Sequence, residues 1–165
     1  MAKKSSYILF KLGNDTFAID VLNVIQTLET EDLTPLPKTP EFVKGIMIFR
    51  GNILPVIDLR LKFNIKNTQE LNKGFIIVTK FFNNEKEQEI GLIVDSVLEV
   101  SDFDAYDIGT YPEIGSKYNL EFINGFVKQD DEIITVLNIE NILSSAEIEI
   151  LKKSTEKIEF DIENE

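Results

Sequence analysis

Glu41-Phe-Val-Lys-Gly-Ile-Met-Ile-Phe-Arg50-Gly-Asn-Ile-Leu-Pro-Val-Ile-Asp-Leu-Arg60 is nearly repeated downstream as Glu121-Phe-Ile-Asn-Gly-Phe-Val-Lys-Gln-Asp130-Asp-Glu-Ile-Ile-Thr-Val-Leu-Asn-Ile-Glu140. Phe42 falls on Phe122, Gly45 on Gly125, Ile53 on Ile133, Val56 on Val136 and Leu59 on Ile139, all at a constant separation of 80 positions. The preceding stretch also repeats: Phe17-Ala-Ile-Asp-Val21-Leu-Asn-Val24 matches Ile90-Gly-Leu-Ile-Val94-Asp-Ser-Val97 at a separation of 73. A shared apolar frame with different polar residues marks two copies of one structural unit with different tasks. The main polar difference is that Arg50-Gly51 becomes Asp130-Asp131.

The 165 residues, 43% hydrophobic, suit one domain or two small ones sharing a core. No apolar run approaches the ~20 residues that span a bilayer, and no signal-type apolar block follows Met1. Without cysteine there is no disulfide, thiolate metal site or cysteine nucleophile. Without histidine the commonest general base and metal ligand are missing too. The net charge of −12 offers no positive footprint for nucleic acid and repels an anionic membrane surface.

Outside the repeat, Tyr7–Leu12 and Thr16–Asp20 flank Gly13-Asn14-Asp15 and predict a hairpin. A short helical turn is expected near Asp20 to Ile25, ahead of a strand at Thr27 to Glu29. Thr34-Pro-Leu-Pro-Lys-Thr-Pro40 is a connection, since its prolines exclude a central strand. Gly45–Phe49 and Asn52–Ile57 read as strands, with Pro55 marking an edge or bulge, and Asp58 caps a short helix over Leu59–Phe63. Strands at Phe75–Thr79 and Glu89–Val94 enclose a charged loop from Asn83 to Gln88. Leu98 to Phe103 is a further strand, and 104–118 is irregular. Ile139, Ile142, Leu143, Ala146 and Ile150 have helical spacing, with Ser144 and Glu147 as a capping box. Ser154 to Glu165 reads as a frayed acidic tail. Short strands at close spacing, twice over, predict two small barrels with a common core.

Phe-Val-Lys-Gly-Ile-x-x-x-Arg50-Gly-x-Ile-Leu-Pro-Val-Ile-Asp-Leu-Arg60 resembles the signature of the CheW-like chemotaxis coupling proteins. So do Phe17-Ala-Ile-Asp-Val, Thr34-Pro-Leu-Pro and Val136-Leu-Asn-Ile-Glu-Asn-Ile-Leu, in order from about Tyr7 to Leu151. The resemblance implies a mainly β domain over 7–151, made of two intertwined five-stranded SH3-like barrels with short helices and a C-terminal helix. Their limits are expected near 16–80 and 88–138, with shared terminal strands, and 154–165 as the tail. It further implies a cytoplasmic, non-enzymatic adaptor without cofactor or metal. The implied partners are the cytoplasmic tips of methyl-accepting chemoreceptors and the regulatory domain of the histidine kinase CheA, with other CheW-like chains in rings. By resemblance, Arg50 matches the functionally important arginine, and Val24, Gln26 and Gly45 match partner-contact positions. Val97 and Val100 line the equivalent edge of the second copy, and Ile108 and Ile114 are the apolar members of a kinase-contacting loop. Many members carry glutamate where this chain has Gln26, so any pairing with Arg50 here is a hydrogen bond without an ion pair.

Three other readings compete. A scaffold of a related receptor–kinase system, controlling surface motility or another output, would use the same surfaces. A small hydrolase working through paired carboxylates is open on paper, but no motif selects a pair from 29 acidic residues. Asp102, Asp104, Asp107 and Glu113 partly resemble a calcium loop, but Asp107 stands where that loop needs glycine.

Overall fold

Ten strands pair into two five-stranded sheets in a computed structural model that describes residues 4–65, 73–104, 109 and 120–163. They are β1 (Lys4–Leu12), β2 (Asp15–Asp20), β3 (Val24–Glu29), β4 (Val43–Phe49), β5 (Asn52–Asp58), β6 (Phe75–Asn83), β7 (Lys86–Val94), β8 (Ser96–Asp104), β9 (Ile123–Gln129) and β10 (Glu132–Leu137). One sheet runs β8-β1-β2-β10-β9 and the other β3-β6-β7-β5-β4. With β1–β5 taken as the first copy and β6–β10 as the second, the two orders are the same. Each sheet takes a hairpin from one copy and three strands from the other.

The register repeats residue by residue. Val43 faces Ile57 and Gly45 faces Val56, while Ile123 faces Leu137 and Gly125 faces Val136. Both copies therefore bulge at the same place. The strand exchange goes beyond the limits of 16–80 and 88–138. A cut at 16 divides the β1–β2 hairpin and a cut between 80 and 88 divides β6–β7, yet each hairpin stays whole in one sheet. Parallel pairing then joins the copies, β2 to β10 and β5 to β7.

Strand pairing does not close either sheet into a continuous barrel; β8 and β9 end one ladder, β3 and β4 the other. Single bridges narrow both gaps. Thr34 and Ile46 exchange two backbone hydrogen bonds, and Gly109 and Phe126 exchange two at the repeat-related place. This geometry corrects the expectation for Pro55, which lies in β5, inside the sheet. Its neighbour Ile46 spends both backbone groups on Thr34, so no ladder bond is asked of Pro55 on that side. The ladder to β7 begins only at Val56.

Apolar side chains fall into three layers. Met47, Phe49, Leu54, Val56, Ile76, Val78 and Ile93 fill one sheet's own core. Tyr7, Leu9, Ala18, Phe103, Val127, Ile134 and Val136 fill the other's. Between them lies a common cluster that includes, among the described residues, twenty buried ones drawn from both sheets and the helices. At about 1.5–3 kcal/mol for each fully buried apolar side chain, the shared layer outweighs either private one. Central strands such as β6 and β7 face apolar surroundings on both sides, which explains the unbroken runs Phe75-Ile-Ile-Val and Leu92-Ile-Val. A file of rings, Phe10–Phe17–Phe63–Phe122, crosses the shared layer at centroid spacings of 5.9, 6.0 and 5.4 Å.

The shared layer ends in a buried ionic knot. Arg60, in α1 (Leu59–Lys62), is 1% exposed and makes a two-pronged contact with Asp58, each bond 2.9 Å. Its third nitrogen donates to Asp95 Oδ1 and to the Lys73 carbonyl, and the other Asp95 oxygen accepts from Gly13 N–H. Asp58 also caps α1 through Arg60 N–H, as expected, and Asn138 repeats that cap at Glu140 N–H.

Helix α2 (Ser145–Glu163) packs over the shared layer through Ile148, Leu151 and Ile158. Its capping box is formed as predicted: Ser144 N–H donates to Glu147 and Glu147 N–H donates to Ser144 Oγ. The frayed tail is a correction, because the helix runs on to Glu163. The apolar stripe at 148, 151 and 158 continues the three-and-four spacing past Ser154. The charged loop at 83–88 is likewise a tight hairpin turn at Asn84-Glu85, both with positive φ.

Candidate functional site

Those sequence-selected residues that are described fall along the open edges of the two sheets or in the turn beside one. Arg50 and Gly51 form the two-residue turn between β4 and β5, with φ of 50° and 82°. Hairpin turns of this hand match the twist of the strands, but they force the first residue into the left-handed region. Arginine is a costly occupant there, by roughly 1 kcal/mol against glycine or asparagine. The turn projects the exposed guanidinium over the buried ring of Phe49, 5.0 Å from its centroid. Arg50 Nη2 then donates to Gln26 Oε1 at 3.3 Å. Gln26 belongs to β3 and Arg50 to the end of β4, which are opposite edges of one sheet. This bond therefore lies across the seam, and Thr34–Ile46 crosses the same gap in the backbone.

The second copy has the same seam with different chemistry. Glu99 stands where Gln26 stands in the first, and Asp130-Asp131 take the left-handed turn positions at 49° and 63°. Two carboxylates cannot pair as arginine and glutamine do. One seam thus presents a cation held by a neutral partner, and the other presents exposed acids.

The other selected residues divide by burial. Val24 and Val97 open the edge strands β3 and β8 and are half-buried against the shared cluster. Val100, further along β8, is 60% exposed. Gly45 is buried, and its reason is local: with φ of 141°, a Cβ there meets the Thr34 carbonyl oxygen at 2.3 Å. Ile108 and Ile114 lie outside the described residues, as do Asp107 and Glu113 of the calcium-like pattern. Asp102 of that pattern accepts from Ser6 Oγ.

Leu22, Ile48, Phe82 and Leu98 are exposed apolar residues that were not singled out from sequence. Leu22, 76% exposed, sits in a 3₁₀ turn capped by Asp20, and Leu98, 47% exposed, sits in a β8 bulge opposite Leu9. Strand alternation hides Leu98, because the bulge breaks the alternation. Among the described residues no group of three or more acidic side chains is arranged to hold a metal. No described helix is long and apolar enough to cross a membrane.

This architecture has known relatives. The CheW-like domain model matches residues 6–147. The chemotaxis protein CheW of Klebsiella aerogenes is 30% identical over 145 residues, covering 88% of this chain and 85% of that protein. Protein FrzA of Myxococcus xanthus is also 30% identical, over 148 residues, covering 87% of this chain and 88% of FrzA. The crystal structure of the scaffolding protein TtCheW from Thermoanaerobacter tengcongensis superposes with a TM-score of 0.77 at 28% identity, covering 89% of this chain and 92% of that one. The repeat, the strand exchange and these matches lead to one conclusion: the chain belongs to the CheW-like domain family.

Proposed function

We propose that this chain is a non-enzymatic chemotaxis adaptor that couples the cytoplasmic tips of chemoreceptors to the regulatory domain of a CheA-type kinase. Receptor and kinase would occupy different edges of one rigid body, so that weak contacts combine through effective concentration. Cytoplasmic placement at receptor arrays belongs to this proposal. The observation that carries it is the Arg50 turn. The second copy keeps the same turn without arginine, so the fold does not require it, and the residue sits there at a conformational cost. Arg50 and Gln26 form the polar part of the proposed surface, with Val24, Val97 and Val100 as apolar contacts. Gly45 contributes by holding the Thr34 segment in place. Ile108 and Ile114 remain proposed contacts with the kinase.

The test is reconstituted kinase activity with receptor membranes. Arg50→Ala should leave the unfolding free energy within about 0.5 kcal/mol of wild type, as exposed changes do, and reduce receptor-dependent activation several-fold. Full activation by Arg50→Ala removes the residue from the site. A second reading stands beside this one, because FrzA is as similar as the Klebsiella protein. A scaffold for another receptor–kinase system would use the same surfaces, and capture with purified receptor tips of each class separates the two.

A further inference from the structure

We propose that the cleft between the β3–β4 connection and helix α2 is a binding site for a phosphate-type anion, held by Lys38, Lys153 and Lys157. The cleft has a volume of about 420 Å³ and is lined by Pro37, Lys38, Lys153, Ser154, Lys157 and Ile158. That size falls in the range of small-ligand pockets, about 300–1,000 Å³. Its composition is opposite to that of the molecule. The chain has 29 acidic residues against 17 basic ones, yet among the described residues three ammonium groups line this cleft and no carboxylate does. Among the described residues none of the three is in an ion pair; the paired lysines are Lys11 with Glu132 and Lys62 with Glu147. Lys153 and Lys157 stand one helical turn apart, an unfavourable like-charge spacing. Lys38 adds the third charge from a turn whose φ of 60° suits asparagine or glycine better than lysine.

Charge matching selects the ligand class. A carboxylate brings one negative charge to three positive ones. A phosphate ester brings about 1.5–2 and several acceptor oxygens, and a diphosphate brings more. Lysine binds phosphate as a point charge, without the planar geometry that arginine imposes. Ser154 donates its hydroxyl proton to the Ile150 carbonyl, so it accepts from a ligand hydroxyl and the lysines alone hold the anion. Pro37, Ile158 and the lysine stems form an apolar lining for an organic body. Lys153, Ser154, Lys157 and Ile158 lie beyond residues 6–147, so four of the six lining residues are outside the matched family model.

The phosphate could belong to a soluble molecule or to a lipid headgroup. The net charge of −12 opposes an extended anionic surface, so the soluble source is expected. The test titrates inorganic pyrophosphate into the full-length protein at low ionic strength and follows backbone amide shifts. In parallel, vesicles of phosphatidylglycerol and of phosphatidylcholine are assayed by co-sedimentation. Saturable shifts at 37–38 and 153–158, weakened at least tenfold in Lys38→Gln/Lys153→Gln/Lys157→Gln, support the site and its soluble source. Retention by phosphatidylglycerol vesicles that the triple variant loses, without pyrophosphate saturation, supports the same chemistry with a lipid source. No saturation in either arm, or binding unchanged in the triple variant, overturns the proposal. Lys157→Gln alone, expected to weaken binding about threefold, keeps the test valid if the triple variant misfolds.

Discussion

Arg50 and Gly45 lie five positions apart and both have positive φ, but only at Gly45 does neighbouring backbone leave no room for a side chain. At Arg50 the side chain is exposed and the left-handed backbone would suit asparagine. Arg50→Asn should therefore stabilise the protein by up to about 1 kcal/mol, in urea unfolding, while receptor-dependent kinase activation falls. Loss of stability instead would assign Arg50 a structural role. Gln26→Glu should keep activation, since a carboxylate accepts the same hydrogen bond with added charge. Gly45→Ala should cost more than about 1 kcal/mol, because the new Cβ meets the Thr34 carbonyl in a backbone conformation alanine resists. Any loss of activation in that variant should track its loss of folded protein. The Arg50–Gln26 contact was legible only through the family pattern. Nothing in local spacing announces that residues 24 positions apart meet across a sheet seam. Gly45 was legible through its repeat at Gly125, though the Thr34 carbonyl that demands it was not.

Helix α2 shows what sequence patterning reveals at the level of an element and what it hides. Its capping box was visible in Ser144 and Glu147 because caps are local. Its length was not, because Lys152 to Glu163 is polar and only Ile158 among its described side chains packs down. Glu147 does more than cap. Both its oxygens lie 2.7 Å from Lys62 Nζ, and that ammonium also sits over the repeat-related rings of Phe42 and Phe122, at 4.4 and 5.3 Å. Burial alone would raise the Glu147 carboxyl, but Lys62 and Ser144 N–H overcome it and hold the carboxyl below its ordinary range. The sign follows. The stabilisation is complete above the unfolded value, about 4.3, and is lost as pH falls through the lower folded value. Glu147→Gln should lower the urea midpoint at pH 7 and flatten its fall below about pH 4.3. An acid limb as steep as wild type in Glu147→Gln would show that other carboxylates govern it.

At the scale of the whole molecule, the exchange of strands makes two sheets into one cooperative unit. A piece holding residues 1–65 has β3–β5 but lacks β6 and β7, which lie between them in the sheet. Fragments 1–65 and 73–165 should each be unfolded by circular dichroism and recover β signal on mixing. Independent folding of either would break this account. Arg60 is the charge that the exchange makes indispensable, since it ties Asp58 of one copy to Asp95 of the other. Arg60→Met should cost about 3–5 kcal/mol, as removal of one partner of a buried pair does, and lower a single unfolding transition seen by every probe. Two separate transitions would mean that the sheets unfold independently. The duplication and the shared core were legible at this scale because both are written in apolar spacing. The strand exchange was legible only through the family resemblance, which implied intertwined barrels; apolar spacing does not carry it, since a hairpin reads the same whichever sheet receives it.

The exchanged repeat also bears on ancestry. Cut at its midpoint and made identical in both halves, this chain is a two-fold homodimer with swapped hairpins. In such a dimer one sequence serves both seams, so a residue gained at one is imposed on the other. Joining the halves in one gene removes that constraint. The positions of Arg50 and Asp130 can then diverge, and a symmetric ancestor would yield a molecule with two chemically distinct ends.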